Sequence, residues 1–170
     1  MRPEDIHFEF LTAQNIMESR GIQRDDVSTE FVDDADTLLE LTEYGEAHGC
    51  IGHTYLIKYH SDCIGILLLG EALPWETDPE EMRRQPFYRL MGFVIDKRYR
   101  GRGIGGYALE AAIADCYREF GARPIALGCH KDNWKAAEFY QRHGFQKTDA
   151  MEGNDHYYLR YTAQNKANGR

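Results

Sequence analysis

The sequence predicts one α/β or α+β domain in which helices and strands surround a single sheet. Its length of 170 residues is typical of one domain. Apolar patterns with helical and strand periods alternate along the chain, and neither an internal repeat nor a linker divides them. We therefore expect about seven strands and about four helices in a domain that spans residues 1–162.

The first half of the chain is predicted to supply three strands and two helices. Alternating apolar residues indicate a first strand over residues 6–12, and an acidic first turn indicates a helix over residues 33–47. The other elements are a short helix at 15–22 and a strand pair at 52–60 and 63–70. Residues 71–87, with three prolines and five acidic residues, form a long connection of a kind that is often functional.

The second half is predicted to add four strands and two helices. A near-continuous apolar run indicates a buried strand over residues 88–96, and apolar residues at helical spacing indicate a helix over 103–120. The other elements are a strand at 124–129, a helix at 134–143 and a hairpin formed by 145–150 and 156–162. Residues 163–170 are polar, and we expect them to form a disordered tail.

The composition excludes several classes of function. The formal net charge is −8, whereas a protein that binds nucleic acid through bulk charge needs a positive surface. No apolar run approaches the ~20 residues of a membrane-spanning helix. The four cysteines lack the spacing of a zinc site or of a disulfide framework. We therefore expect a cytoplasmic domain with no metal, no nucleic-acid partner and no membrane association.

The charge is divided unevenly along the chain. Residues 1–87 contain 19 acidic and 6 basic residues, a net charge of −13, whereas residues 88–170 contain 9 and 14, a net charge of +5. Such an asymmetry is consistent with two different ligands, or with a solvated surface that is merely uneven.

A basic glycine loop joins the predicted strand at 88–96 to the helix at 103–120. Four glycines and four basic residues fall within Lys97-Arg-Tyr-Arg-Gly-Arg-Gly-Ile-Gly-Gly106. Glycines let the backbone approach a ligand closely, and the N-terminus of a helix attracts anions. The loop therefore predicts a phosphate site, in which a pyrophosphate is favoured over a carboxylate.

Two common phosphate motifs fit this loop poorly. Residues 101–106 satisfy G-x-G-x-x-G, but residues 121–130 contain no acid that would meet the ribose of a dinucleotide. The Gly-Lys-Ser/Thr of a nucleotide-binding P-loop is absent. A dinucleotide is therefore disfavoured as the ligand.

Two segments resemble the GCN5-related N-acetyltransferases, the GNAT family. Arg100-Gly-Arg-Gly-Ile-Gly105 is similar to the family's Arg/Gln-x-x-Gly-x-Gly/Ala motif, which holds the pyrophosphate of acetyl-CoA. Asn133-Trp-Lys-Ala-Ala-Glu-Phe-Tyr-Gln-Arg-His-Gly-Phe145 is similar to the helix that follows the family's fifth strand. The resemblance implies the GNAT fold, with a mixed and mostly antiparallel sheet, and acetyl-CoA as co-substrate without a metal.

The resemblance also implies which residues bind the cofactor. The strand at 93–95 would bond the pantetheine arm through its backbone, beside a strand that splays away from it. The amides of residues 100–106 would hold the pyrophosphate, with Arg100 and Arg102 as charge partners. Asn133 would both cap its helix and contact the cofactor arm. The cofactor-binding residues are then Phe93, Val94, Ile95, Arg100, Gly101, Arg102, Gly103, Ile104, Gly105, Gly106 and Asn133.

A tyrosine that matches Tyr140 protonates the departing thiolate of coenzyme A in this family. A phenol suits that role because it carries its proton at neutral pH and donates to an anion. Tyr140 follows Asn133 by close to two helical turns and lies on the same helix face. The alternative role is that of a half-buried core tyrosine.

The attacking amine must lose a proton, because an alkyl ammonium has a pKa of about 10.4. We select Glu71 as the catalytic base, since it opens the long connection that should flank the acceptor. His130, Glu43 and Glu46 are alternatives, and each of the four has a solvated surface role as the competing explanation. The family does not fix this position.

The acidic first half favours a cationic acceptor. The chain is similar to bacterial spermidine/spermine N-acetyltransferases in Cys63-Ile-Gly-Ile66, in residues 93–99 and in the late hairpin. We therefore expect a polyamine or a similar small amine, although an aminoglycoside, a peptide N-terminus or a non-catalytic CoA-binding regulatory module are alternatives. Dimers are common in the family, so a homodimer is a further candidate partner. Candidate contacts to the acceptor are Trp75, Glu76, Asp78, Glu80 and Glu81.

Overall fold

The computed structural model describes residues 5–163, and its seven strands form one sheet. The strands are β1 (Ile6–Phe10), β2 (Gly52–Tyr59), β3 (Asp62–Gly70), β4 (Tyr88–Ile95), β5 (Ile125–His130), β6 (Gln146–Glu152) and β7 (Asp155–Arg160). The α-helices are α1 (Ala35–Ala47), α2 (Glu80–Arg84), α3 (Ile104–Phe120) and α4 (Trp134–Arg142), and 3₁₀ helices span Ile16–Gly21 and Lys97–Tyr99.

The sheet order is β1-β2-β3-β4-β5-β7-β6. Neighbouring strands are antiparallel except β4 and β5, which are parallel. The prediction of a single mixed, mostly antiparallel sheet is therefore confirmed. Of the predicted polar tail at 163–170, all but residue 163 lies outside the described residues.

Two helices differ from the sequence-based expectation. The helix expected at 15–22 is a 3₁₀ helix over Ile16–Gly21, and the Asn15 side chain bonds the Thr12 amide and the Phe10 carbonyl instead of capping it. The long connection at 71–87 contains α2, which follows Pro79 and has acids in its first turn and arginines in its last.

Helices cover both faces of the sheet. Helix α3 buries Ala108, Leu109 and Ala112 against one face, and α4 packs beside it. Helix α1 covers the other face with Leu38, which is fully buried among side chains of β2, β3 and β4. Burial of one such leucine contributes about 2 kcal/mol. The sheet is therefore a rigid central layer, and it fixes the positions of the side chains at the ends of its strands.

Strands β4 and β5 diverge soon after they begin. They pair only at Tyr88 with Ile125 and at Arg89 with Ala126. In the pairing with β3 the register shifts by one residue, so that Gly92 and its neighbour form a bulge with Gly92 at φ 60°. A bulge bends its strand and ends regular pairing. The backbone edge of β4 beyond Arg89 consequently faces an open gap towards β5, as the resemblance implied.

None of the helices in the described part of the chain is long and apolar enough to span a membrane. Within residues 5–163, no group of three or more histidine, cysteine or acidic side chains is placed to hold a metal ion. The four cysteines are free thiols, and Cys63, Cys116 and Cys129 are buried.

Gly92→Ala should destabilise the protein more than Gly49→Ala does. Both glycines have a positive φ, so both substitutions cost about 1 kcal/mol of backbone strain. A Cβ on Gly92 would also lie 2.4 Å from a methyl carbon of the buried Leu38, whereas a Cβ on Gly49 meets nothing within 4 Å. The crowding adds about 1–3 kcal/mol. Equal free energies of unfolding for the two variants in urea would contradict this packing.

Candidate active site

The gap between β4 and β5 opens into a cavity of about 250 Å³. Its lining comes from both diverging strands, from α4, from the β6–β7 hairpin, from the long connection at 71–87 and from residues 29–33 ahead of α1. Its charged lining residues are four acids and one base: Glu30, Asp33, Glu152, Asp155 and Arg89. A cavity with this excess of carboxylates favours a cation.

Tyr140 reaches the cavity from α4. Its ring packs edge-on against Phe139 and Phe145, at centroid distances of 5.4 and 5.6 Å. Burial raises the pKa of the Tyr140 phenol, so the hydroxyl keeps its proton at neutral pH. No described residue forms a hydrogen bond with that hydroxyl, which leaves it available to donate a proton to a bound group.

Helix α4 is held by the N-cap that the sequence predicts. The Asn133 side chain accepts a hydrogen bond from the amide of Ala136 at 3.3 Å. This cap fixes the first turn of the helix, and Tyr140 lies in its last turn. The local sequence therefore sets the position of the phenol.

The glycine loop leaves a row of backbone amides at the start of α3. Gly103 is the N-cap, with φ 78°, and no side chain in the described part of the protein caps the helix. The first helical hydrogen bond is donated by Tyr107, so the preceding amides have no partner within the helix. A Cβ on Gly106 would lie 2.8 Å from the ring of His143, so any larger residue at this point would displace that ring.

Lys97 and Arg100 of this loop already form ion pairs with acidic side chains. Lys97 pairs with Asp25 at 2.7 Å. Arg100 pairs with Asp26 and also donates to the Ile95 carbonyl, each at 2.6 Å. Arg100, expected as a charge partner of the pyrophosphate, is thus held in place by Asp26, while its Nη2 is buried and forms no hydrogen bond with any described residue.

Arg98 is engaged in the same way, whereas Arg102 is not. Arg98 holds the carboxylate of Asp96, which is fully buried. Burial alone would raise the pKa of Asp96, but hydrogen bonds from Arg98 and from the Gln23 amide lower it to about 2. Arg102 is exposed and has no partner among residues 5–163. Arg102, the Nη2 of Arg100 and the backbone amides are thus the part of the predicted anion site that the described residues leave free.

A buried ion pair forms one side of the cavity. The Arg89 guanidinium, 5% exposed, donates to both carboxylate oxygens of Asp78 at 2.9 and 3.0 Å. The Trp75 ring lies 3.9 Å from the guanidinium, and the Tyr157 hydroxyl donates to Asp78 at 3.1 Å. This network anchors the long connection to β4.

The network changes the roles expected for the acids of the long connection. Asp78 was expected to meet the acceptor, but its charge is neutralised by Arg89. Trp75 lines the cavity as expected, whereas Glu76, Glu80 and Glu81 do not. The sequence signal for the network was Arg89 itself, a charged residue inside an otherwise apolar strand.

Glu71 does not lie at the cavity. Its carboxylate pairs with Arg123 and accepts the Ile51 amide at 3.1 Å. Burial would raise the pKa of Glu71, but these partners outweigh it and lower the pKa. A carboxylate that is engaged in this way and lies outside the cavity of Tyr140 is poorly suited to remove a proton from an acceptor, so the geometry argues against Glu71 as the base.

The cavity acids were missed by the sequence-based reasoning. The other candidates that it named were His130, Glu43 and Glu46, and none of these lines the cavity. The ring of His130 packs against that of Phe31 at 4.9 Å, and its Nδ1 accepts the amide of Asp132.

Comparison with known proteins gives a family match over most of the chain. Residues 18–145 match the model of the Acetyltransferase (GNAT) family. The chain is 30% identical over 98 residues to the spermine/spermidine N(1)-acetyltransferase of Bacillus subtilis (strain 168); the match covers 58% of this chain and 62% of that protein.

Solved structures show the same fold at low identity. A GNAT acetyltransferase from Staphylococcus aureus Mu50 superposes with a TM-score of 0.65 at 21% identity, covering 92% of this chain and 98% of that one. The PaiA N-acetyltransferase of Thermoplasma acidophilum, in complex with coenzyme A, gives 0.66 at 16%, covering 92% and 99%. The Salmonella typhimurium enzyme that modifies the N-terminal serine of ribosomal protein L7/L12 gives 0.67 at 14%, covering 92% and 95%.

Asp78→Asn should destabilise the protein by about 3 kcal/mol, because it leaves the buried Arg89 cation without its counter-charge. The matched control is Glu80→Gln, which breaks the exposed pair with Arg84 and should cost less than about 0.5 kcal/mol. The measurement is the free energy of unfolding in urea at pH 7. A similar small cost for both substitutions would show that the buried pair does not anchor the connection.

Proposed function

The chain belongs to the acetyltransferase (GNAT) family, and we propose that it transfers the acetyl group of acetyl-CoA directly to a small cationic primary amine, with a polyamine as the first candidate. The observation that carries the proposal is the cavity between β4 and β5, where the Tyr140 phenol and four carboxylates share one space. The match to the B. subtilis spermine/spermidine enzyme supports the choice of acceptor.

The described residues fit the binding of acetyl-CoA. The amides of residues 104–106 and the free Arg102 suit a pyrophosphate at the start of α3. The backbone of Phe93, Val94 and Ile95 follows the bulge, on the β4 edge that β5 leaves unpaired, and an extended pantetheine arm would pair with that edge. A backbone amide of this edge would stabilise the oxyanion that forms when an amine attacks the thioester.

Tyr140 supplies the proton for the leaving group. When the C–S bond of the tetrahedral intermediate breaks, the thiolate of coenzyme A accepts the phenolic proton. The raised pKa of Tyr140 keeps that proton in place until the thiolate forms. A thiol has a pKa of about 8.5, below that of the phenol, so this proton transfer is unfavourable on its own. It proceeds because the phenolate then regains a proton from the protonated amide nitrogen.

The acceptor side of the cavity suits an ammonium group. Glu30 and Asp33 lie on the segment ahead of α1, and Glu152 and Asp155 lie on the β6–β7 hairpin. Arg89, the only positive group that residues 5–163 contribute to the lining, is neutralised by Asp78. Carboxylates on two sides of the cavity would hold an amine that carries more than one positive charge.

The proposed function is tested by incubating the protein with acetyl-CoA and a panel of amines. The panel contains spermidine, spermine, an aminoglycoside and peptides with free N-terminal serine or alanine. We expect amine-dependent release of free thiol, greatest with a polyamine, together with the mono-acetylated product by mass spectrometry. Tight CoA binding without thiol release above the hydrolysis background would instead identify a non-catalytic CoA-binding module.

Tyr140→Phe should lower kcat tenfold or more, because it removes the proton donor. The ring contacts with Phe139 and Phe145 persist, so the melting temperature and the Kd for CoA should stay unchanged. Tyr107→Phe is the matched control, since Tyr107 is exposed on α3 and lies outside the cavity. A wild-type kcat in the Tyr140 variant would remove the phenol from the mechanism.

Arg102→Gln should raise the Kd for CoA about tenfold, as expected for the loss of one exposed charge-assisted hydrogen bond. The control is Arg118→Gln, which also removes an exposed positive charge. Arg118 lies at the C-terminal end of α3, away from the glycine loop, so this substitution should leave the Kd unchanged. Isothermal titration calorimetry at low and high salt checks both variants. The Arg102 effect should shrink as salt rises, and a Kd equal to that of wild type at low salt would exclude this contact.

A further inference from the structure

The proposed transfer leaves one step without a residue, namely removal of a proton from the acceptor ammonium. Asp155, the first residue of β7, is placed for that step. In the register of β5 and β7 it lies opposite His130, two positions before Tyr157, which lies opposite Gly128. Its Oδ2 is 3.2 Å from the point that a Cβ on Gly128 would occupy. The absence of a side chain at Gly128 thus gives the carboxylate its place over β5 at the cavity.

Tyr140 and Asp155 reach the gap from opposite faces of the sheet. Side chains alternate along a strand, so Gly128 and Asp155 share one face, and Cys129 and Tyr158 share the other. Tyr140 packs against the cluster that contains Cys129 and Tyr158. A thioester lying in the gap would therefore have the proton donor on one side and the carboxylate on the other.

This arrangement suits acetyl transfer. The amine attacks the carbonyl carbon from one face while sulfur leaves from the tetrahedral intermediate with a proton from the phenol. The carboxylate can take the first proton of the nitrogen while the phenol gives its own proton to sulfur, so the two groups need not exchange a proton with each other.

Asp155 differs from the other three acids of the cavity. It is half-buried, whereas Glu30, Asp33 and Glu152 are exposed. Glu152 also lies within 3.4 Å of the Tyr157 hydroxyl, whose single proton it shares with Asp78. The Asp155 carboxylate has no hydrogen bond or ion pair with any residue in the described part of the chain. Both of its oxygens are consequently free to accept a proton.

The electrostatic surroundings make Asp155 a stronger base than an ordinary aspartate. Burial raises its pKa most, the carboxylate of Asp33 raises it further, and His130 opposes both. His130, its partner on β5, lies outside the cavity lining but interacts with Asp155 electrostatically. The titratable and charged groups that elements other than β7 contribute to the cavity itself are Asp33 and Glu30 ahead of α1, Glu152 on β6, Tyr140 on α4 and Arg89 on β4.

We propose that Asp155 is the general base that accepts the proton of the acceptor ammonium. The inference rests on the proposed function. The carboxylate takes one proton from the ammonium, and the neutral nitrogen then forms the C–N bond with the acetyl carbon. After the C–S bond breaks, sulfur carries the phenolic proton of Tyr140. The amide nitrogen gives up its second proton to restore the phenol, and Asp155 releases its own to solvent, so the cycle yields amide, thiol and one proton.

Asp155→Asn tests the proposal through the pH dependence of kcat. Rates are measured with acetyl-CoA and spermidine from pH 6 to 9.5; if spermidine is not acetylated, the panel amine with the highest wild-type rate replaces it. At pH 7 we expect kcat to fall about 100-fold, within the usual range for a general base. The deficit should shrink about tenfold per pH unit above pH 7, because a growing fraction of the bound amine is then already neutral.

Asp149→Asn is the matched control, since Asp149 is an exposed aspartate on β6 of the same hairpin and lies outside the cavity. It should reproduce the wild-type profile. Asp155→Glu keeps a carboxylate and should recover part of the rate at pH 7. The Kd for CoA and the melting temperature of the Asp155 variants should match those of wild type.

Two results would overturn the assignment. A wild-type kcat for Asp155→Asn at pH 7 would exclude the proton transfer. A deficit that stays constant from pH 6 to 9.5 would show a structural role instead of a base. In either case the proposed function stands if Tyr140→Phe remains slow, whereas wild-type protein that releases no amine-dependent thiol rejects the function itself.

Discussion

Strands β4 and β5 share only two paired positions, and the functional part of the molecule depends on that early divergence. The bulge at Gly92 bends β4 while Leu38 packs against it from α1, so the divergence is fixed by packing and not by a mobile loop. The divergence leaves a strand edge without partners inside an otherwise continuous sheet. An extended arm of a ligand can bond there, and groups from both faces of the sheet can meet at one point.

Elements with local signals were well predicted from the sequence. The strands, α1, α3 and α4 are specified by apolar periodicity, by caps such as Asn133 and by terminal glycines, all of which act over a few residues. The glycine loop was predicted as an anion site for the same reason, since its residues are adjacent in the sequence. Tyr140 was assigned through a motif within one helix, and it lies at the cavity.

Features that depend on distant partners were not predictable. Asp26 pairs with Arg100, 74 positions away in the chain, and Glu71 pairs with Arg123, 52 positions away. The local sequence around each residue therefore does not indicate either ion pair. The acids of the hairpin reach the cavity because β7 inserts next to β5, ahead of β6 in the sheet order. A sheet built in chain order would place β6 next to β5 and β7 at the edge. The sequence alone therefore does not predict that Asp155 lies at the cavity.

The segment between the first 3₁₀ helix and α1 touches both halves of the site. Its Asp25 and Asp26 hold basic side chains of the glycine loop, and its residues 29–33 line the acceptor cavity. A displacement of this segment would alter both sets of contacts, so the two substrates of the proposed reaction would be coupled through it. If one bound substrate changes the affinity for the other by some factor, the second must change the affinity for the first by the same factor. Variation in this short segment would retune both affinities together.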